Sequence, residues 1–249
     1  LVGSEMCIRD RFIAPYLRKR WEDARKKVQT LSPELFPQSS YLRIDQTLVN
    51  GVGNYVFDPM RQNGQQGTYG QLLNRNDLFL AYGMGLFLIY EMTANPGAAV
   101  LATSLSDLVA KAKVMGSTDT IPVDVQCVYG GSLRLQTGTT VTFEALETSI
   151  FNVSHQAANS GNDTTAVVSL DSSVLDEIFY TPEMIAFAGT KEQTFSLKFP
   201  CANTSVFQPA SSPKGVVGLS LIMLGFLVKN GALLLENYKG DVNDFLAPA

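Results

Sequence analysis

Two basic triplets, Arg18-Lys19-Arg20 and Arg25-Lys26-Lys27, are the residues of this chain whose types and spacing point most directly to chemistry. On a helix they place at least four cations on the solvent side, enough for salt-sensitive binding of phosphate groups. The same pattern suits an amphipathic helix lying on anionic lipid, with Trp21 near the headgroups. A plainer reading is a solvated helical face packed on the body through Ile13, Leu17 and Trp21. The sequence leaves nucleic acid and lipid both open as partners for Arg18, Lys19, Arg20, Arg25, Lys26 and Lys27.

Other chemistry is thinly represented. One histidine, His155, stands in a polar Ser154-His155-Gln156 stretch. A jelly-roll metal site of the cupin kind usually needs two or three, so no metal and no cofactor is expected. No nucleophile-elbow pattern surrounds any serine, so a Ser-His-Asp triad is not expected either. Paired carboxylates could support glycoside hydrolysis, with Glu144, Asp171, Asp176 and Glu177 as candidates. Asp171 to Glu177, however, reads as a solvated connection between strands. Gly51-Val52-Gly53 and Gly130-Gly131 do not precede a helix and read as hairpin turns, not phosphate loops. Asn152-Val153-Ser154, Asn162-Asp163-Thr164 and Asn203-Thr204-Ser205 match the glycosylation sequon, weak signals in an Asn- and Thr-rich chain. Cys127 and Cys201 are expected as free buried thiols. No enzymatic activity is expected.

The charge pattern shows which element must carry the cations. Between Arg11 and Lys27 there are seven basic residues against Glu22 and Asp23, so 7 − 2 gives +5. From Val28 onward, 11 Lys or Arg meet 19 Asp or Glu, so 11 − 19 gives −8. A basic arm on an acidic body suggests an anionic partner for the arm alone. Apolar side chains at Ile13, Leu17, Trp21, Ala24 and Val28, spaced by four, four, three and four, predict a helix over Phe12–Val28. Pro33 and Pro37 end it and begin a linker. Ahead of it, Met6-Cys7-Ile8-Arg9-Asp10 back-translates to ATG TGT ATA AGA GAC, which resembles a transposase adapter used in sequencing libraries. Residues 1–11 are therefore expected to be translated adapter, to be set aside from fold reasoning. The expected division is 1–11 adapter, 12–38 basic helix and linker, and 39–249 a β-sandwich domain.

Composition supports a β-rich body. Charged residues make up 17%, low against an ordinary figure of about 25%, and Ser, Thr, Asn, Gln and Gly fill much of the surface. The apolar runs Leu78–Tyr90 and Val216–Val228 are 13 residues each, shorter than the roughly 20 that cross a bilayer as a helix. Their glycines suit tightly packed central strands. Leu42 and Ile44 alternate with Arg43 and Asp45. Asn50-Gly51 then predicts a hairpin between this segment and Tyr55-Val56-Phe57. Val123–Tyr129 and Ser132–Gln136 read as a second hairpin through Gly130-Gly131, followed by Thr140–Glu144. Phe195, Leu197 and Phe199 face one way, Ser196 and Lys198 the other. A short helical turn is expected around Leu105–Val114. No βαβ rhythm is present, so the predicted class is all-β: an antiparallel jelly-roll sandwich, single or compact double, with an N-terminal amphipathic helix.

The order of these parts resembles the major capsid proteins of small tailless icosahedral bacteriophages. The matching pieces are the basic N-terminal helix, Tyr41-Leu42-Arg43-Ile44, Asn76-Asp77-Leu78-Phe79, Val128-Tyr129-Gly130-Gly131-Ser132-Leu133 and Leu224-Gly225-Phe226-Leu227-Val228. The likeness covers most of Phe12–Gly231 and is one of overall grammar, without a signature motif. It implies a structural virion protein: a self-assembling shell subunit, located in the virion, whose basic arm faces genome nucleic acid or an inner membrane of anionic lipid. It also implies no small-molecule substrate. The alternative is a carbohydrate-binding β-sandwich of the receptor or spike type, for which exposed Tyr69, Tyr82, Tyr180 and Phe207 would serve.

Overall fold

The two longest apolar runs of the sequence lie side by side as long central strands. The computed structural model describes residues 2–49, 51–60, 72–91, 99–104, 123–137, 140–152, 178–200 and 216–237. In chain order the elements are α1 (Val2–Leu31), β1 (Gln38–Thr47), β2 (Asn54–Phe57), β3 (Leu78–Glu91), β4 (Ala99–Ala102), a 3-10 helix at Val123–Gly130, β5 (Ser132–Thr137) and β6 (Thr140–Glu147). A second 3-10 turn at Thr148–Phe151 follows, then β7 (Phe179–Ala188), β8 (Gln193–Lys198), β9 (Val216–Val228) and α2 (Ala232–Asn237).

The strands form two sheets with antiparallel pairing throughout. The first runs β1-β9-β3, and the far side of β3 is shared by β7, along Leu78–Met84, and β4, along Leu88–Glu91. The second runs β2-β8-β5-β6. One apolar cluster draws on both sheets: Leu42, Ile44, Phe79, Leu86, Phe187, Leu221 and Met223 from the first, Tyr55, Phe57, Leu133, Leu135, Phe195 and Leu197 from the second. The described strands thus make one β-sandwich. Expected inward alternation holds on β1 at Leu42 and Ile44, and on β8 at Phe195 and Leu197.

Strand β3 serves two apolar layers, and a bulge changes which of its residues face each. Phe79 and Ala81 face the sandwich core, while Leu78, Leu80 and Tyr82 join a second cluster on the outer face of the sheet. The register shifts between Ala81 and Gly83, one extra residue reverses the side-chain parity, and Met84, Leu86, Leu88 and Tyr90 then face the core. Close packing against β3 requires a glycine on β9. A Cβ on Gly225 would strike the Leu80 carbonyl oxygen and lie 2.6 Å from the Phe79 ring.

Three sequence expectations are corrected. A turn does follow Val49, with Gly51 at φ 86° and the Val52 amide donating to the Val49 carbonyl at 3.1 Å. It is a corner and not a hairpin, because β1 pairs with β9 and β2 with β8 in the opposite sheet. The Tyr55 hydroxyl holds the corner by accepting from the Val49 amide at 2.9 Å and donating to its carbonyl at 3.2 Å. Second, Val123–Gly130 is a 3-10 helix where a strand was expected. Its backbone finds a side chain before it finds a strand partner: Thr148 Oγ1 donates to the Val128 carbonyl at 2.8 Å and accepts from the Gly131 amide at 2.9 Å. Third, Cys127 is disulfide-bonded and not a free thiol; sequence spacing carries no information about which cysteines meet in space. The helical turn expected at Leu105–Val114 lies outside the described residues.

Buried polar groups stitch one end of the sandwich together. Asp77, 7% exposed, accepts through Oδ1 from the Asn230 amide at 2.9 Å and through Oδ2 from Asn74 Nδ2 at 3.1 Å. Its carbonyl accepts from the Gly189 amide at 2.9 Å, and the neighbouring Asn76 carbonyl accepts from the Ala232 amide at 3.0 Å. The start of β3, the β7–β8 turn and the β9–α2 turn are thereby held as one unit.

Candidate functional site

Helix α1 lies against the outer face of the first sheet along the predicted stripe. Ala24 and Val28 are fully buried, and Leu17 and Trp21 pack on the same cluster, which includes Leu78, Leu80, Tyr82, Met184, Phe226 and Val228. The side chain of Ile13 lies outside the described residues. The helix extends beyond Phe12–Val28 at both ends and contains Pro15, which removes one internal hydrogen bond. It ends before Pro33, with the Ser32 amide donating to the Val28 carbonyl at 2.9 Å.

The six candidate cations divide into two groups. Arg18, Lys19, Arg25 and Lys26 are exposed; Arg20 and Lys27 are half-buried. Arg20 Nη2 donates to the Thr181 carbonyl at 3.2 Å and to the Pro182 carbonyl, both on β7. Its guanidinium also sits 5.1 Å from the centre of the Tyr16 ring. Tyr16 in turn donates its hydroxyl to the Thr181 carbonyl at 3.1 Å and meets Tyr180 edge-on at 5.6 Å. Burial pushes the Lys27 ammonium below its ordinary range; Asp23 pulls it up, Arg20 pushes it further down and Glu183 pulls it up. Among the exposed four, Arg18 pairs with Glu22 at 3.2 Å. Arg25 donates to Gln29 Oε1 at 3.1 Å and lies 5.3 Å from the Trp21 ring centre.

Sequence reasoning missed the aromatic half of this arrangement. Tyr16, Tyr82, Tyr180, Thr181 and Pro182 hold the helix down. One signal was readable: Tyr16/Arg20 and Trp21/Arg25 are both i, i+4 pairs, the spacing at which helix side chains meet. Replacing Arg20 by alanine is expected to weaken docking by about 1–2 kcal/mol, since charge-assisted bonds to carbonyls are lost. Trp21 is the chain's one tryptophan, so a red shift of its emission at lower urea concentration checks this.

Tyr82 gives the docked face a pH response. Burial raises its phenol above the ordinary range, and Tyr16 adds to the effect. The folded phenol keeps its proton at a pH where the unfolded one has lost it. Its contribution is therefore fully present below the unfolded value of about 10 and is lost as pH rises through the higher folded value. Tyr82→Phe should flatten the fall of the urea midpoint above that pH.

Of the remaining carboxylate and histidine candidates, Glu144 is the one among the described residues. Glu144 is exposed and faces Arg134 at 3.4 Å across the β5–β6 pair. His155, Asp171, Asp176 and Glu177 lie outside the described residues, as do Tyr69 and Phe207. Of the aromatics considered for sugar binding, Tyr82 is buried, stacked on Tyr180 at 6.3 Å beneath α1. Among the described residues no group of three potential metal ligands forms, and no helix is long and apolar enough to cross a membrane. No protein-family model, curated protein or solved structure matches this chain.

Proposed function

We propose that this chain is a structural virion protein, a self-assembling capsid shell subunit built on a single jelly roll, with the basic face of α1 turned toward an anionic interior. In this reading it is a building block of the virion and not a catalyst. The observation that carries the reading is strand order. β1, β9, β3 and β7 lie on one side and β2, β8, β5 and β6 on the other, with β4 added at the far end of β3. With β4 set aside, the order of the other eight strands, entered alternately at β1 and β2 and closed by β9 between β1 and β3, supports reading the sandwich as the two Greek keys of a jelly roll. Fold alone does not specify function. The second support is the separation of charge, with cations gathered on one exposed helical face of an acidic body.

Assembly is the property that tests the proposal. Purified full-length chain, sedimented and imaged by negative stain over a range of salt and pH, is expected to form closed particles of uniform diameter. A single slowly sedimenting species under every condition overturns the proposal.

A further inference from the structure

We infer that α1 binds the phosphate backbone of nucleic acid while it stays docked, through Arg18, Lys19, Arg25 and Lys26, and that Arg20 and Lys27 are positioning residues. This deepens the shell reading and rests on it, by naming the partner of the basic face and dividing its cations.

The first support is that the apolar stripe of the helix is already occupied. An interfacial helix binds lipid by burying its apolar face in the acyl boundary. Here Ala24 and Val28 are fully buried on the sheet and Leu17 and Trp21 pack beside them. What the docked helix offers is its charge, and a soluble polyphosphate strand needs nothing else.

The geometry of the exposed four is the second support. Arg18/Arg25 and Lys19/Lys26 are two pairs seven residues apart, so each spans about 10.5 Å along the axis, and all four fall within about 120° of the helix circumference, centred about 130° from the buried stripe. The array is held in place from below. Arg20 binds the Thr181 and Pro182 carbonyls, and Lys27 is half-buried near Glu183. Glu22 lies within the exposed array, bonded to Arg18, and tempers its affinity. The residues from Val28 onward carry a net −8, from 11 − 19, so a polyanion is repelled elsewhere and confined to the helix.

The test uses the full chain, a labelled oligothymidylate, and vesicles of phosphatidylcholine with phosphatidylserine. Four phosphate contacts to a single strand give a slope of about −3 for the logarithm of affinity against the logarithm of salt concentration. Replacing Arg18, Lys19, Arg25 and Lys26 together by glutamine should make the slope shallower by about 3. R20Q/K27Q should leave the slope unchanged while shifting Trp21 emission to the red. E22Q should tighten binding about two- to fivefold, a change that a merely structural residue would not produce.

Loss of more than about one unit of slope in R20Q/K27Q overturns the division of the cations. Vesicle binding with a blue shift of Trp21, without oligonucleotide binding, overturns the choice of partner. Closed particles from a chain that ignores oligothymidylate would sink this inference alone. Oligonucleotide binding with the stated slope by a chain that never assembles would sink the shell reading alone.

Discussion

Phe195→Ala is expected to lower the free energy of unfolding by about 3–5 kcal/mol, read as a large fall in the urea midpoint with an unchanged slope. Phe195 is fully buried on β8 and its ring lies 5.7 Å from that of Phe187 on β7, in the opposite sheet. On its own sheet it lies 6.4 Å from Phe143. Phe187 also touches Phe79 at 6.5 Å, so the ring at position 195 belongs to an aromatic chain that crosses the sandwich. Truncation removes the apolar area and leaves a cavity between two sheets whose separation is set by all their other contacts. Set against a typical total of about 5–15 kcal/mol, the loss leaves little reserve. Phe195→Leu, which keeps most of the volume, should recover more than half. A loss under about 1 kcal/mol in the alanine variant would show that the sheets close over the gap.

Asp77→Ala is expected to cost about 3 kcal/mol, from charge-assisted acceptance lost at two donors, one of them a backbone amide. That amide belongs to Asn230, which holds a left-handed φ of 57° in the β9–α2 turn. Asparagine tolerates this conformation better than most residues, and the Asp77 carboxylate fixes it further. Hydrogen exchange at the Asn230 amide should accelerate in the alanine variant well before global unfolding. In Asp77→Asn, one side-chain oxygen can still accept from Asn230, and about half of the loss should return. Equal thermal midpoints for wild type and the alanine variant would remove Asp77 from its role as a staple.

What local pattern could reveal depended on how far each residue's partner lies along the chain. The runs that become β3 and β9 announce themselves by composition, because a strand buried on both faces needs no alternation. The stripe Leu17, Trp21, Ala24 and Val28 was legible because helix period is a local property. The corner between β1 and β2 was legible as a turn, but its partner strands were not. β1 meets β9, far along the chain, and nothing between Gln38 and Phe57 encodes that choice. Val123–Gly130 misled because its backbone bonds to the Thr148 hydroxyl, a contact with no periodic signature. The cations of the site could be read from the sequence as a group. Their division into four and two could not, because Arg20 is defined by carbonyls 161 and 162 residues away.

The two apolar faces of β3 bear on how the molecule comes apart. Because β3 contributes Phe79 and Ala81 to one apolar layer and Leu78, Leu80 and Tyr82 to the other, neither layer can melt while the other stays intact. The helix is attached to the same strand on which the sandwich closes, so its loss and the sandwich's loss belong to one cooperative event. Trp21 fluorescence, which senses the helix, and near-ultraviolet dichroism, which senses the packed aromatics of the core, should trace a single coincident transition in urea. Deleting Tyr82 would remove the bulge and leave Phe79, Ala81, Met84 and Leu86 in strict alternation on the core face, so the helix would lose a ring beneath it while the strand kept its layers.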